Sequence, residues 1–280
     1  MIHQAVPAHQ AALGQRRAQC TGLRDALHAE WTKARTLPGT GWLLLAAAAL
    51  TVIVGAVVAA AVRCTSGHCA EDPAKISLTG IYLGQAVIAT LAVLAVSSEY
   101  STGMMRLTLT AMPRRVAMFA AKAAVLTGPV LAAGAVAVLG SVLAGRLILP
   151  GHGIGPAHGY PALALADGPV LRAASGTVLY LGLIALFSLG IATAVRDSAA
   201  AIGIVLALLY LFPILSAVVG SAGVRRHLEQ FAPMTAGLAI QASTGLRSLP
   251  ISPWAGLGVL AAWTAAALLV GGLLLRLRDA

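Results

Sequence analysis

The sequence predicts an all-α, polytopic membrane protein with six transmembrane helices. Hydrophobic residues make up 59% of the 280 residues and charged residues only 10%, against roughly 45–50% and 25% in soluble domains. The mean hydropathy is +0.87. Six stretches reach the roughly 20 apolar residues that cross a bilayer as a helix. They cover residues 41–62, 78–96, 118–149, 176–195, 198–219 and 254–275.

Two segments precede the first span. Residues 1–19 show no helical or strand period, and we expect them to be disordered. In residues 20–40, apolar side chains including Trp31 recur on one arc of a helix and polar ones on the other. Trp31 with Lys33 and Arg35 suits an interfacial amphipathic helix that lies among lipid headgroups. Residues 41–280 then form the membrane domain.

Glu30 falls in the middle of the apolar arc of this predicted helix. A carboxylate left bare against lipid is costly. Glu30 therefore either meets a basic partner or snorkels to water, and the sequence leaves both alternatives open.

The lysines and arginines are divided unequally between the two sides of the membrane. With six spans both termini share one side, which holds twelve of the nineteen basic residues, and the longer loops of the other side hold seven. Basic residues are enriched in cytoplasmic loops. We therefore expect the protein to lie in the cytoplasmic (plasma) membrane with both termini in the cytoplasm. The net charge of +10 reflects this topology and attraction to anionic membrane lipids rather than nucleic acid.

The spans carry few polar side chains. We expect no charged residue well inside any span, since Arg63, Glu99 and Arg146 fall at span ends. Secondary transporters and proton relays place ionisable groups at membrane depth, so this pattern counts against them. Tyr82 and Gln85 in the second span are expected to hydrogen-bond between helices.

Two loops on the non-cytoplasmic side carry further signals. Cys64 and Cys69 could form a disulfide on an oxidising side of the membrane or remain free thiols. A metal site there lacks a fourth ligand, so none is expected. Residues 220–253 contain apolar residues at helical spacing, interrupted by Pro233. These short helical pieces either lie at the outer surface or dip between spans. The recurring residues are Leu228, Phe231, Met234 and Leu238.

The most informative segment is residues 97–115, a short polar interruption between the second and third spans. It combines a serine and an acid at its start, as at a helix N-terminus, with a proline stop and a basic end. Its apolar side chains are not needed in a tether but would fill a pocket on a cytoplasmic partner. The alternative is a lipid-surface loop whose basic residues contact anionic headgroups. The candidate docking residues are Glu99, Gly103, Met104, Met105, Arg106, Leu107, Pro113, Arg114 and Arg115.

Motifs for chemistry are absent from the sequence. The phosphate-binding GxxxxGK[ST] loop is missing, because none of Lys33, Lys75 and Lys122 follows a glycine. HExxH and GxSxG are missing as well. The chain is therefore expected to be no enzyme, and any transport it performs needs energy from another subunit.

Two segments resemble a known family. EWTKARTL at residues 30–37 and SSEYSTGMMRLTLTAMPRR at residues 97–115 are similar to segments of bacterial ATP-binding-cassette (ABC) transporter permeases of the type-two exporter class, particularly actinobacterial ones. The first resembles the family's interfacial connecting helix, with Glu30, Trp31, Lys33 and Arg35. The second resembles its cytoplasmic coupling segment, which docks on a separate ATPase. The PRR ending and the loop with two cysteines depart from the family pattern.

The resemblance implies a non-catalytic permease subunit of an exporter. It would pair with a second permease as a homodimer or heterodimer, and a cytoplasmic ABC ATPase subunit would bind ATP and Mg, leaving this chain without a cofactor. Two other functions stay open: a non-transporting membrane interaction or immunity protein, and a secondary transporter.

The predicted orientation can be tested by cysteine accessibility in intact cells. Single substitutions Thr102→Cys and His158→Cys place a thiol on opposite sides of the membrane. A membrane-impermeant reagent should label His158→Cys and leave Thr102→Cys unlabelled. The reverse pattern would place residues 97–115 outside the cell and contradict a cytoplasmic docking role.

Overall fold

The structure, a computed structural model, describes residues 27–28, 30–32, 38–64, 72–101, 115–161 and 163–277. This part of the chain is helical and contains no strand. Six of its helices, α1, α3, α4, α5, α6 and α9, are long and apolar enough to cross a membrane, which confirms the predicted multi-pass membrane fold. In chain order the helices are α1 (Pro38–Ala61), α2 (Pro73–Ser77), α3 (Ile81–Ser101), α4 (Arg115–Ile148), α5 (Gly168–Val195), α6 (Ser198–Val218), α7 (Ala222–Phe231), α8 (Pro233–Leu238) and α9 (Pro253–Leu277).

The spans alternate in direction and so define two faces. At one face α3 and α5 end and α4 and α6 begin. We call it the terminal face, because α1 also begins there and α9 ends there. We call the other the distal face. The terminal face holds Pro38, Ser101, Arg115, Val195, Ser198 and Leu277, and the distal face holds Ala61, Ile81, Ile148, Gly168, Val218 and Pro253.

The fourth span begins earlier than the sequence predicts. α5 starts at Gly168, about two turns before the expected residue 176. Pro169 occupies its first turn, where a missing N–H costs nothing, and Asp167 is the N-cap residue. The extra turns include Arg172, which lowers the local hydropathy and hides the helix start from a search for apolar runs.

α3 and α5 form the centre of the bundle. Of their apolar stretches, 56% and 61% of residues are buried, against 22–28% in α1, α4, α6 and α9. α5 packs against α9, α3 and α4, while α1 packs against α3 and α4. The four outer helices expose leucine, isoleucine and valine side chains, as expected where they contact lipid acyl chains.

Glycines allow the closest helix contacts. Gly80, directly before α3, and Gly84 in its first turn face α1, and a Cβ atom added at Gly80 would lie 1.9 Å from the carbonyl oxygen of Thr51. Gly190 on α5 faces Gly271 on α9, whose added Cβ atom would lie 2.5 Å from the Gly190 carbonyl oxygen. Small residues at such positions let backbones approach, which is how helices associate in membranes.

The distal segment 220–253 contains two helical pieces, α7 and α8, which differ in burial. α7 has no buried residue. α8 lies between the spans, with Pro233, Met234, Ala236, Gly237 and Leu238 all buried. The sequence therefore indicated the right periodicity, and the alternative of a piece that dips between the spans is confirmed for α8.

The glycine contact between α1 and α3 predicts a stability change. Gly80→Ala would drive a methyl group into the Thr51 backbone, which a rigid helix cannot accommodate, and overpacking of this kind costs about 1–3 kcal/mol. We expect a lower thermal unfolding midpoint of the purified protein in detergent. The matched control is Gly258→Ala on α9, where nothing lies within 4 Å and alanine favours the helix. Equal midpoints for the two variants would contradict the assigned contact.

Candidate functional site

The described part of the terminal face contains a buried ion pair. Lys122, two turns inside α4, has its Nζ atom 2.9 Å from Oε2 of Glu30, and both side chains are only 6% exposed. Lys122 thus lies about one turn inside the predicted third span, residues 118–149, with its charge paired rather than exposed to lipid. Of the two alternatives for Glu30, the basic partner is confirmed and snorkelling to water is wrong.

This pair ties the N-terminal segment to the third span. Residues 27–28 and 30–32 are helical, and the Thr32 hydroxyl donates to the His28 carbonyl oxygen at 2.8 Å. Trp31 is 46% exposed, so it points away from the side on which Glu30 is buried. Loss of one partner from a buried pair is far more costly than loss from an exposed one. Glu30 thus fixes this segment to α4 close to the end of residues 97–115.

The other end of residues 97–115 is held as well. The ring of Tyr100, one residue before the end of α3, lies 5.4 Å from the guanidinium carbon of Arg196 in a cation–π contact. Arg196 is the C-cap of α5, with a left-handed φ of 64°, and its N–H donates to Ala192. The next residue, Asp197, caps α6 by accepting from the Ala200 N–H at 2.7 Å. The end of α3 is thus braced by the turn that joins α5 to α6.

A small apolar cluster completes this arrangement. Met118 on α4 and Leu275 on α9 are almost fully buried against each other, and Tyr100 and Phe119 pack on them. Three spans therefore meet where the second span leaves the bundle and the third enters it. We call Glu30, Tyr100, Met118, Lys122, Arg196 and Leu275 the terminal anchor.

The candidate docking residues lie mostly beyond what the structure describes. Glu99 is in α3 and Arg115 begins α4, but their side chains lie outside the described part. Lys33 and Arg35 of the predicted interfacial helix also lie outside it. Of the predicted site residues, Glu30 is the one that the described part of the structure places in the terminal anchor. The remaining candidates outside the described residues are Gly103, Met104, Met105, Arg106, Leu107, Pro113 and Arg114.

A second polar cluster lies nearer the distal face, around Gln85 of α3. The amide nitrogen of Gln85 donates to the Tyr210 hydroxyl and to the Met234 sulfur, both at 3.2 Å. The Tyr180 hydroxyl donates to the amide oxygen of Gln85, and the Tyr210 hydroxyl donates to the backbone carbonyl oxygen of Tyr82. The expected hydrogen bonding of Gln85 between helices is confirmed. For Tyr82 the described contact uses its carbonyl group.

This Gln85 cluster attaches α8 to the spans. It joins α3, α5, α6 and α8 through a fully hydrogen-bonded amide, which avoids the cost of an unsatisfied polar group away from water. Gly237 of α8 lets the Tyr180 ring approach, since an added Cβ atom would lie 2.7 Å from it. Gly256 of α9 similarly faces α8, since a Cβ atom added there would lie 2.0 Å from the Ala236 carbonyl oxygen.

Asp72 connects two loops of the distal face. One carboxylate oxygen caps α2 by accepting from the N–H groups of Ala74 and Lys75. The carboxylate also accepts from both the N–H and the hydroxyl of Ser243, and from the Thr244 N–H at 2.9 Å. Asp72 was not among the predicted site residues, although an acid directly before a proline is a signal for a helix start.

Cys64 is disulfide-bonded in the structure. Its sulfur lies 3.5 Å from the Tyr160 hydroxyl, and the Cys64 N–H donates to the His152 carbonyl oxygen at 3.1 Å. The other two cysteines, Cys20 and Cys69, both lie outside the described residues, so the pairing of Cys64 with Cys69 stays a prediction.

Comparison of the sequence with protein-family models and with curated proteins finds no match. The terminal anchor and the Gln85 cluster therefore rest on their own geometry.

The terminal anchor predicts a strong asymmetry among variants of its ion pair. Lys122→Met removes the lysine from a buried carboxylate and should destabilise the protein by about 3–5 kcal/mol. The double variant Glu30→Leu, Lys122→Met should recover most of this loss, because neither charge is then buried. Thermal unfolding in lipid nanodiscs measures both.

The control for this comparison is Lys75→Met, which changes an exposed lysine at the distal face. It should cost less than about 1 kcal/mol. A Lys122→Met variant as stable as this control would contradict a buried pair.

Proposed function

We propose that this chain is the membrane-spanning permease subunit of an ABC exporter. In this proposal it moves a substrate across the cytoplasmic membrane with energy from ATP hydrolysed by a separate ATPase subunit. The terminal face is the cytoplasmic face, and residues 97–115 dock on the ATPase. The chain itself binds no ATP, since the phosphate-binding loop and its magnesium belong to the partner.

The observation that carries the proposal is that both ends of residues 97–115 are fixed. Tyr100 at one end contacts the α5–α6 turn through Arg196, and Lys122 near the other end is bound to Glu30. A segment that transmits force needs such attachments, because a push on a loose loop would be absorbed by the loop. A passive connection between two spans needs neither.

The attachments also define what would move. Glu30 brings the N-terminal segment onto α4, Arg196 brings α5 and α6 onto α3, and Leu275 brings in α9. A displacement of residues 97–115 would therefore reach most spans within one or two contacts. Rigid-body movement of packed helices about such an interface is a common switching mechanism.

Six spans are few for a translocation path, so a second permease, identical or related, would complete it. The large apolar surfaces of α1, α4, α6 and α9 leave room for that partner beside the lipid. The rival function is an interaction or immunity protein without transport. It needs no ATPase, and this difference separates the two.

The proposal is tested by coexpression with an ABC ATPase encoded beside this chain. The pair should copurify, and the permease should stimulate ATP hydrolysis. Arg106→Glu and Glu99→Ala should leave the protein in the membrane but abolish stimulation. Removing one member of a buried interfacial charge pair costs about 3–5 kcal/mol, so affinity for the ATPase should fall more than about a hundredfold.

Arg247→Glu is the matched control, because it makes the same charge change on an exposed distal arginine. It should stimulate the ATPase normally. If Arg106→Glu and Glu99→Ala behave like this control, residues 97–115 do not dock on the ATPase, and the interaction-protein function replaces the permease.

A further inference from the structure

α7 descends from the distal face into the bilayer. Three residues connect it to the end of α6, and it packs back against α6. At its other end, the carbonyl oxygen of Phe231 accepts from the Trp263 indole N–H at 3.0 Å. Trp263 lies about 18 Å along α9 from Leu275 at the terminal face, at 1.5 Å per residue. In a hydrocarbon core about 30 Å thick, this contact lies roughly 12 Å below the distal surface.

Two further contacts agree with this depth. Gln85, which binds Met234 just after the end of α7, lies about 20 Å along α3 from Ser98. Tyr210, which binds Gln85, lies about 18 Å along α6 from Ser198. The segment from Phe231 to Met234 is therefore the deepest part of a re-entrant hairpin formed by α7 and α8.

Polarity along α7 follows this depth. Arg225, Arg226 and His227, in the half nearer the distal surface, are all exposed. Phe231, at the deep end, is 66% exposed. At this depth its exposed surface faces acyl chains. Glu229 and Gln230, which are polar and deep, are half-buried, and Gln230 donates to the Pro250 carbonyl oxygen at 2.7 Å.

The arginines keep their charge available. Arg225 reaches Glu229 only at 4.0 Å, with its side chain 55% exposed, and such an exposed pair is weak. Arg226 forms no ion pair with a described residue. On a helical wheel the exposed apolar residues Val224 and Phe231 share one arc and Arg226 lies opposite. One helix thus offers cations at headgroup depth and, at Phe231, an apolar side chain at acyl depth.

We propose that α7 is a docking site for an anionic phospholipid of the leaflet at the distal face. The phosphate lies beside Arg225, a little more than a quarter turn from Val224, and the long side chain of Arg226 extends to it at the headgroup level. An acyl chain begins near Val224 at the headgroup level and reaches Phe231 at the deep end of α7. The arginines match the anionic headgroup at the membrane surface, and the apolar arc matches the acyl chain below it.

Native mass spectrometry of the purified full-length protein tests the site. The protein is titrated with dioctanoyl phosphatidylglycerol or dioctanoyl phosphatidylcholine, which have equal chains and differ in net charge. A basic residue near an anionic surface contributes roughly fivefold in affinity. Wild-type protein should therefore prefer phosphatidylglycerol by about thirtyfold, and the double variant Arg225→Gln, Arg226→Gln should bind both lipids alike.

Three further measurements distinguish a specific lipid site from a general effect of charge. Arg247→Gln, which removes an exposed distal arginine away from α7, should retain the wild-type preference. Phe231→Gln should weaken both lipids equally, since it removes acyl contact and leaves the backbone bond to Trp263. Glycerophosphoglycerol, the headgroup without chains, should not compete.

An equal loss of preference in Arg247→Gln would indicate net charge rather than a site and would overturn the proposal. Full competition by the free headgroup would overturn it as well, because the site would then bind anions from water. These outcomes do not depend on an ATPase, so they are independent of the permease function.

Discussion

Close approach of helix backbones is the constraint on which this structure depends. Apolar helices gain little from leaving lipid for one another, because acyl chains are as apolar as leucine side chains. Their association then depends on packing distance. Gly190 and Gly271 bring α5 and α9 together, and Gly80 brings α3 against Thr51 of α1. α3 and α5 can occupy the centre only because these positions carry no side chain.

The two buried polar clusters share a physical role. Each attaches an element that does not cross the bilayer to the spans. The Gln85 cluster attaches α8, a short helix that does not cross the bilayer, and the ion pair of Lys122 attaches the residues before α1. Apolar packing is weakly directional, whereas hydrogen bonds and ion pairs in a low-dielectric interior fix one geometry. Polar groups are thus found where short elements must hold one position on the bundle.

The sequence predicted the spans well and the contacts between them poorly. Long apolar runs determine where α1, α3, α4, α6 and α9 lie, because length and hydropathy are local properties. The start of α5 was placed too late because Arg172 interrupts the apolar run. The partner of Glu30 could not be identified from spacing, since Lys122 is distant along the chain and was counted only as one of the basic residues that set orientation.

The partners of Gln85 could not be predicted from the sequence either. Gln85 was recognisable as a polar residue in a span, and a hydrogen bond between helices was the expected outcome. Tyr180 and Tyr210 gave no local signal, because a tyrosine in a span is equally compatible with a purely apolar contact. Which side chains meet depends on helix rotation and on the path of α8, and neither property is encoded in a single stretch of sequence.

The length of α4 gives the protein a lever. At 34 residues it is about 51 Å long, well beyond the thickness of a hydrocarbon core. Pro129 interrupts its hydrogen-bond ladder and is where the helix bends most easily. Lys122 lies on one arm, and the other arm runs about 28 Å to Ile148 beside the distal loops. A change of 5° at Pro129 would swing that far end by roughly 2.5 Å, so a small strain at one surface of the membrane becomes a displacement of atomic size at the other.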